Sequence, residues 1–397
     1  MILGSGNAQI NLIKAAQELE YETVVCDSRP DQRGSKLADK YYSVDYMDRA
    51  AILDIAQSEG IDGVVSNAEP AMLNVAYLCE QLNLPGNSVE SIETLISKTK
   101  FRELQKKEGV FAPKFAVAAS EEELLAVIKD MEYPIIIKPC ESSGTRGTTK
   151  LIEYDEPIAR SSFKICQEFS RNNLVTVEEY VEAKSLAFRE CDLFVIGQDI
   201  LWDGWFWAYR SKHCPMLPMA SAFPLTLSQK DICIMQEIVK KLLHTAGIQL
   251  GEYNVEIYDT KDNEIFVIEI NPRQGGNYIP QLIEEHTGVS FTKLLVSTAV
   301  GDMRYFQFLK TFQRKNCYIT RQSVFSQTNG TFKSLYIDPS ISKYVKWIDM
   351  CVSENDPVFA VRNAADAVAY VDLEFDNLDV QSKFTSEIEH YIYPILK

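Results

Sequence analysis

No apolar run in this chain approaches the roughly 18–20 residues that a membrane-spanning helix needs, so a bilayer is not among its expected surroundings. Histidine is scarce, with four in 397 residues, and no Ser-His-Asp or Cys-His pattern is evident. Catalysis through a protein nucleophile is therefore not expected. The nine cysteines form no Cys-x-x-Cys pair and read as free, buried thiols in a reducing compartment, with the cytoplasm as the expected location. Positive charge is in short supply too. Lys and Arg number 40 against 56 Asp and Glu, a formal net charge of -16, which argues against nucleic acid or an anionic membrane as partner. No secretory leader is expected, since Gly4, Ser5 and Asn7 follow Met1-Ile2-Leu3. No Gly-Lys-Ser/Thr of a Walker A loop occurs, and neither does an internal repeat. What is present is 46% hydrophobic and 24% charged, an ordinary globular composition with enough chain for two to four domains.

The most informative segment is Glu256 followed thirteen residues later by Glu269-Ile270-Asn271-Pro272-Arg273. Residues 264–270 (EIFVIEI) read as a strand, as do residues 252–258 (EYNVEIY), and Asp262-Asn263 supplies the turn of a hairpin. Side chains alternate along a strand, so Glu269 and Asn271 share one face while Asn254 and Glu256 share another. Brought together, Glu256, Glu269 and Asn271 form a set of hard oxygen donors suited to magnesium. Pro272 ends the strand, and Arg273 places a fixed cation beside that set. The plain alternative is a hairpin with three solvated polar residues.

Other parts precede it in order. Residues 133–139 (YPIIIKP) make a short apolar strand that delivers Lys138. Residues 141–149 (ESSGTRGTT) follow, a loop of small and hydroxyl residues whose amides, hydroxyls and guanidinium can meet phosphate oxygens. Ser97-Lys98-Thr99-Lys100 opens a helix that runs through Leu104 to Gly109, and a lysine in the first turn is relieved by a nearby anion. Residues 177–181 (VEEYV) alternate as a strand edge against which a base can pair. Each lysine taken alone would read as a solvated charge.

In this order and spacing, the chain resembles the ATP-grasp superfamily. Its motifs are most like the branch of biotin carboxylase, the carbamoyl-phosphate synthetase ATP domains and the L-amino-acid ligases. The resemblance covers roughly residues 1 to 300 and rests on five motifs. It implies an α/β (mixed α+β) protein with an ATP-grasp fold and ATP and Mg2+, or Mn2+, as cofactors. It implies that Lys98, eleven residues before Gly109, and Lys138 contact phosphates. Ser142, Ser143, Gly144, Thr145, Arg146 and Gly147 would then close over them. Glu178 would take the adenine amino group, with the backbone of Glu179 and Val181 reading the ring edge and Ile268 lining the pocket. Glu256, Glu269 and Asn271 would hold the metal, and Arg273 and Lys138 would act catalytically. The chain departs from the family at Ser185, where a ribose-binding glutamate is usual, and at Ala183, where the hinge glycine is usual. Ribose contact would then fall to Glu182 or Glu190.

The expected organisation has three parts. Residues 1–95 form a Rossmann-like βαβ domain. Its Gly4-Ser5-Gly6 lacks the third glycine of a dinucleotide fingerprint, and Glu69 sits at the sheet's ligand-binding edge after a strand at 62–66. Residues 96–300 form the ATP-grasp domain, with a lid at about 113–182 whose strands are 133–138, 149–153 and 175–181 and whose helix is near 156–170. Residues 301–397 form a C-terminal sheet extension with strands at 344–352, 357–361 and 367–375 and a final helix from Val380 to Tyr393, packing on the body or pairing two copies as a homodimer. In the aromatic stretch 202–224, Arg210, Lys212 and His213 form a cationic cluster. Arg210, Glu69 and the Gly275-Gly276 amides are the candidate contacts for the non-nucleotide substrates. The expected reaction is carboxylate–amine ligation through an acyl phosphate, with small-molecule carboxylate and amine substrates. The alternatives are a bicarbonate-activating, carbamoyl-phosphate-type enzyme and a non-catalytic ATP-binding module.

Overall fold

The computed structural model describes residues 1–140, 147–170, 172–215 and 217–397. The expected phosphate-loop residues Ser142, Ser143, Gly144, Thr145 and Arg146 lie outside them. Four sheets organise the described chain. At the start, Ile2–Leu3, Val24–Cys26 and Lys40–Tyr42 form a parallel sheet. Helix Ile10–Glu18 packs against it because Leu12, Ile13, Ala15 and Ala16 share a buried stripe at helical spacing. The expected strand at 62–66 is only an isolated bridge between Ile2 and Val65. Leu3 N–H donates to the Val65 carbonyl and Val65 N–H to that of Met1, and a partner strand of only Ile2–Leu3 leaves no length for a longer ladder.

The lid is a four-stranded antiparallel sheet in the order Phe115–Ala118, Val175–Glu179, Ile135–Pro139, Thr149–Leu151. Ile135, Ile137, Val175 and Val177 alternate onto one face and bury against Leu124, Ile128 and Phe163 of helices Glu121–Ile128 and Glu156–Phe169. Period two then sends Ile136, Lys138 and Glu178 to the opposite face. That face lines the main cavity.

The largest sheet has eight strands, all antiparallel, in the order Ile265–Asn271, Leu250–Asp259, Ala187–Ile196, Asp199–Arg210, Pro218–Phe223, Tyr318–Val324, Ala369–Phe375, Val345–Met350. Leu193, Val195, Tyr253, Val255 and Ile257 bury on one side beneath helices Val89–Ile96, Lys98–Lys107 and Gln229–Thr245. On the other side Phe194 and Phe206 meet helices Ile279–Thr287 and Phe291–Ala299. Glu190, Asp192, Glu252, Asn254 and Glu256 alternate onto this second side, where the cavity opens. The aromatic stretch is thus mostly sheet core.

Strands Tyr318–Val324, Ala369–Phe375 and Val345–Met350 continue the same sheet, so the C-terminal extension shares its hydrogen-bonded ladder. The expected helix from Val380 to Tyr393 stops at Thr385. After the turn Ile388–His390, the chain forms strand Ile392–Leu396 against Gly330–Ile337. Pro394 disfavours helix for the residue before it, and Ile392 fills the cluster of Ile341, Phe384 and Ile388. The expected strand 357–361 shrinks to Pro357–Val358. All nine cysteines are free thiols, five of them buried.

Candidate active site

The hairpin expected around Asp262-Asn263 forms, and its register decides the site. Asn254 pairs with Asn271 and Glu256 with Glu269, followed by a bulge after Glu256. On its other edge the same strand sets Glu256 opposite Glu190 and Asn254 opposite Asp192. Two rows therefore cross three strands: Glu269, Glu256 and Glu190, and beside them Asn271, Asn254 and Asp192. Directly opposed side chains lie close enough to interact. The Nδ2 of Asn271 donates to Glu269 Oε1 at 2.8 Å, which leaves the Asn271 carbonyl oxygen as its donor to a metal.

The row of carboxylates is short of positive charge. Burial, and then the charge of Glu256, push Glu190 up to about 8. Burial also raises Glu256, with Arg210 opposing and Glu269 reinforcing. Glu269 behaves differently: burial pushes it up, but Lys98, Asn271 and Arg273 outweigh that and hold it below its ordinary value. The cation that answers the row is Arg210, whose Nη2 donates to Glu190 at 2.8 Å and to Glu256 at 2.9 Å. Two carboxylates and a carboxamide oxygen with this local excess of negative charge suit a hard divalent cation, so the residues fit magnesium.

The lid contributes a second charged group. Glu178 accepts from Lys138 Nζ at 2.6 Å and from Arg102 Nε at 3.1 Å. Although burial works the other way, Arg102 and Lys138 hold the Glu178 carboxyl down to about 2. Lys138 shows the reverse balance: burial lowers it to about 8 against the pull of Glu178. Arg102 also donates to Gln105 Oε1 at 2.7 Å and to the Ile268 carbonyl at 2.9 Å, tying helix Lys98–Lys107 to the lid and to the hairpin. Arg102 is absent from the expected site residues. Its available signal was spacing, since it lies one turn beyond Lys98 on the same helix.

These groups border one cavity of about 500 Å³ between the lid and the large sheet. Of the expected site residues, Glu69, Lys98, Lys138, Glu178, Glu179, Val181, Arg210, Glu256, Ile268, Glu269, Asn271, Arg273 and Gly276 line it. Glu69 approaches Arg273 at 3.6 Å. Gly147 packs against Pro139 and Phe169. The Gly275 N–H points away from the cavity role expected of it, because it donates to Asp192 Oδ2 at 2.7 Å. Of the two candidate ribose partners, Glu190 lines the cavity, while Glu182 is exposed and pairs with Lys261. Lys212 and His213 are exposed, so the cationic cluster reduces to Arg210.

Two family models match the chain: the ATP-grasp domain over residues 103–279 and the ATP-grasp N-terminal domain over residues 13–86. Among curated relatives, the uncharacterized protein y4rH of Sinorhizobium fredii is 26% identical over 286 residues, covering 72% of this chain and 57% of the relative. The carbamoyl phosphate synthase large chain of Corynebacterium glutamicum is 28% identical over 322 residues, covering 76% of this chain and 28% of the relative. The chain thus spans less than two thirds of these relatives' lengths. Among solved structures, the L-amino acid ligase from Bacillus licheniformis matches with a TM-score of 0.80 at 17% identity, covering 100% of this chain and 98% of that one. The biotin carboxylase domain of Hydrogenobacter thermophilus 2-oxoglutarate carboxylase, in complex with MgADP, matches with a TM-score of 0.71 at 19% identity, covering 100% and 91%. These two likenesses establish the fold.

Proposed function

Because the chain belongs to the ATP-grasp family, whose members are ATP-dependent ligases, we propose that it joins a small carboxylate to an amine with release of ADP and phosphate. The observation that carries this reading is the convergence of Lys98, Lys138, Glu256, Glu269, Asn271 and Arg273 on one cavity. Lys98 and Lys138 hold phosphates. Glu178, with lone pairs left after Arg102 and Lys138, accepts the adenine amino group. The backbone of Glu179 and Val181 reads the ring edge, and Ile268 lines the base. Glu256, Glu269 and Asn271 hold Mg2+, or Mn2+, which supplies neutralisation of phosphate charge.

The chemistry balances in two steps. A carboxylate oxygen of the acyl substrate forms a bond to the γ-phosphorus as the bond to the ADP oxygen breaks. The amine then bonds to the acyl carbon, phosphate leaves with that oxygen, and the amine gives up a proton. Arg273 stabilises the phosphoryl charge in the first step. Glu69, Arg210 and the Gly276 amide contact the non-nucleotide substrates. ADP release from magnesium ATP, measured across pools of amino acids and small carboxylates with and without bicarbonate, tests the reading. Stimulation by a carboxylate–amine pair supports it. Stimulation by bicarbonate alone moves the protein to the carbamoyl-phosphate type, and ATP binding with no turnover in any pool moves it to a non-catalytic module.

A further inference from the structure

Two buried carboxyls meet on the large sheet, neither of them among the residues that line the main cavity. Glu252 is 2% exposed and Asp192 is 0% exposed. They are diagonal neighbours on adjacent strands, since Glu252 stands opposite Phe194 and Asp192 opposite Asn254. Their surroundings are unequal. Asp192 is ringed by donors: Asn254 Nδ2 at 2.8 Å and Gly275 N–H at 2.7 Å. Glu252 accepts one bond at Oε2, from Gln274 Nε2 at 2.7 Å, while its Oε1 meets no donor. The groups that act on Glu252 are burial, Asp192 and Gln274, and their sum drives its carboxyl well above its ordinary value. An ionised Glu252 would leave a charged oxygen unsatisfied beside a second carboxylate. A proton on that oxygen removes the orphan and gives Asp192 another donor.

We infer that Glu252 carries a proton shared with Asp192, and that this neutral and anionic pair positions the Gly275 turn and the Asn271 side chain. Through that proton Asp192 becomes the end of two hydrogen-bonded chains. One runs inward from the N-terminal domain: Gln9 Nε2 donates to Asn67 Oδ1 at 2.5 Å, Asn67 Nδ2 to Gln274 Oε1 at 3.3 Å, and Gln274 to Glu252. The other reaches the metal end of the cavity: Asn254 donates to Asp192, and its Oδ1 accepts from Asn271 Nδ2 at 3.4 Å. Gly275 is required at its place, since a Cβ there would lie 2.8 Å from Asp192 Oδ1. Asp192 and Glu252 do not line the main cavity and are positioning residues.

Infrared spectra of the full chain test the proton directly. At neutral pH the native protein shows more protonated-carboxyl carbonyl absorption, shifted in heavy water, than Glu252→Gln does, and a band from Glu190, itself pushed up to about 8, is common to both. Identical spectra for the two proteins overturn the inference. Kinetics supply a second arm. Glu252→Gln keeps a donor for Asp192 and an acceptor for Gln274, so turnover with magnesium ATP falls by no more than about threefold. Asp192→Asn puts an amide among donors and lowers turnover about 10–100-fold. Equal damage from the two variants, or a Glu252→Gln protein that fails to fold, contradicts the shared proton. The kinetic arm rests on the proposed metal role of Asn271; the infrared arm does not, so failure of the ligase reading leaves the spectra decisive.

Discussion

Lys138 holds its charge loosely. Burial lowers it to about 8, so the free protein loses this cation as pH rises through that value. Affinity for magnesium ATP should therefore fall between about pH 7 and about pH 9, and Lys138→Arg should flatten the fall, as read by calorimetric titration. The linkage to stability has two opposing parts. Between about 8 and 10.5 the unfolded chain binds the Lys138 proton and the folded protein does not, so stability rises with pH there. The burden on the fold is fully present below about 8 and amounts to about 3 kcal/mol. Glu178, held down to about 2, contributes a similar amount above 4.5, lost as pH falls toward 2. A buried pair of this kind orients more than it stabilises. Glu178→Leu strands both Arg102 and Lys138 in the interior and should cost about 3–5 kcal/mol in urea unfolding. Lys138→Met leaves Arg102 on Glu178 and should cost much less. At the metal end, Glu269→Gln should lower the rate of phosphate release by about 100-fold or more, whereas a rate within a few-fold of native would remove Glu269 from the metal set.

At the scale of elements, the hairpin was legible because everything it needs is local: alternation, a turn and adjacent carboxylates. The lid strand ending at Lys138 was legible for the same reason. Arg102, Asp192 and the fate of Gly275 were not. Arg102 meets its carboxylate 76 residues away, and Gly275 meets Asp192 83 residues away, pairings that only the sheet order creates. The C-terminal segment is ambiguous in sequence because Phe384, Ile388 and Ile392 fit helical spacing as well as they fit a short helix, a turn and a strand. Tertiary pairing with Gly330–Ile337 decides between them. The lid also shows how an element serves the site from its hidden face. Ile137→Ala leaves Lys138 in place but opens the lid core, at about 2–5 kcal/mol, and should accelerate hydrogen exchange in Val175–Glu179 while weakening ATP binding.

For the molecule as a whole, the cavity lies where the lid, the helix bearing Lys98 and the large sheet meet, so nucleotide should bind the parts together. Magnesium ATP at about 100 times its Kd should add about 2.7 kcal/mol to the stability, seen as a raised Tm without any acyl substrate. No helix among the described residues is long and apolar enough to cross a membrane. Sheet continuity from the hairpin to Val345–Met350 makes the C-terminal strands part of the scaffold that sets the two polar rows. In carboxylate–amine ligation through an acyl phosphate, a carboxylate oxygen leaves with the phosphate. The direct measurement supplies the amino acids and small carboxylates with 18O in their carboxyl groups and follows the label by mass spectrometry. Carboxylate–amine ligation predicts one 18O in each phosphate released together with ADP. Unlabelled phosphate from a reaction that nonetheless joins the labelled carboxylate to an amine would contradict it.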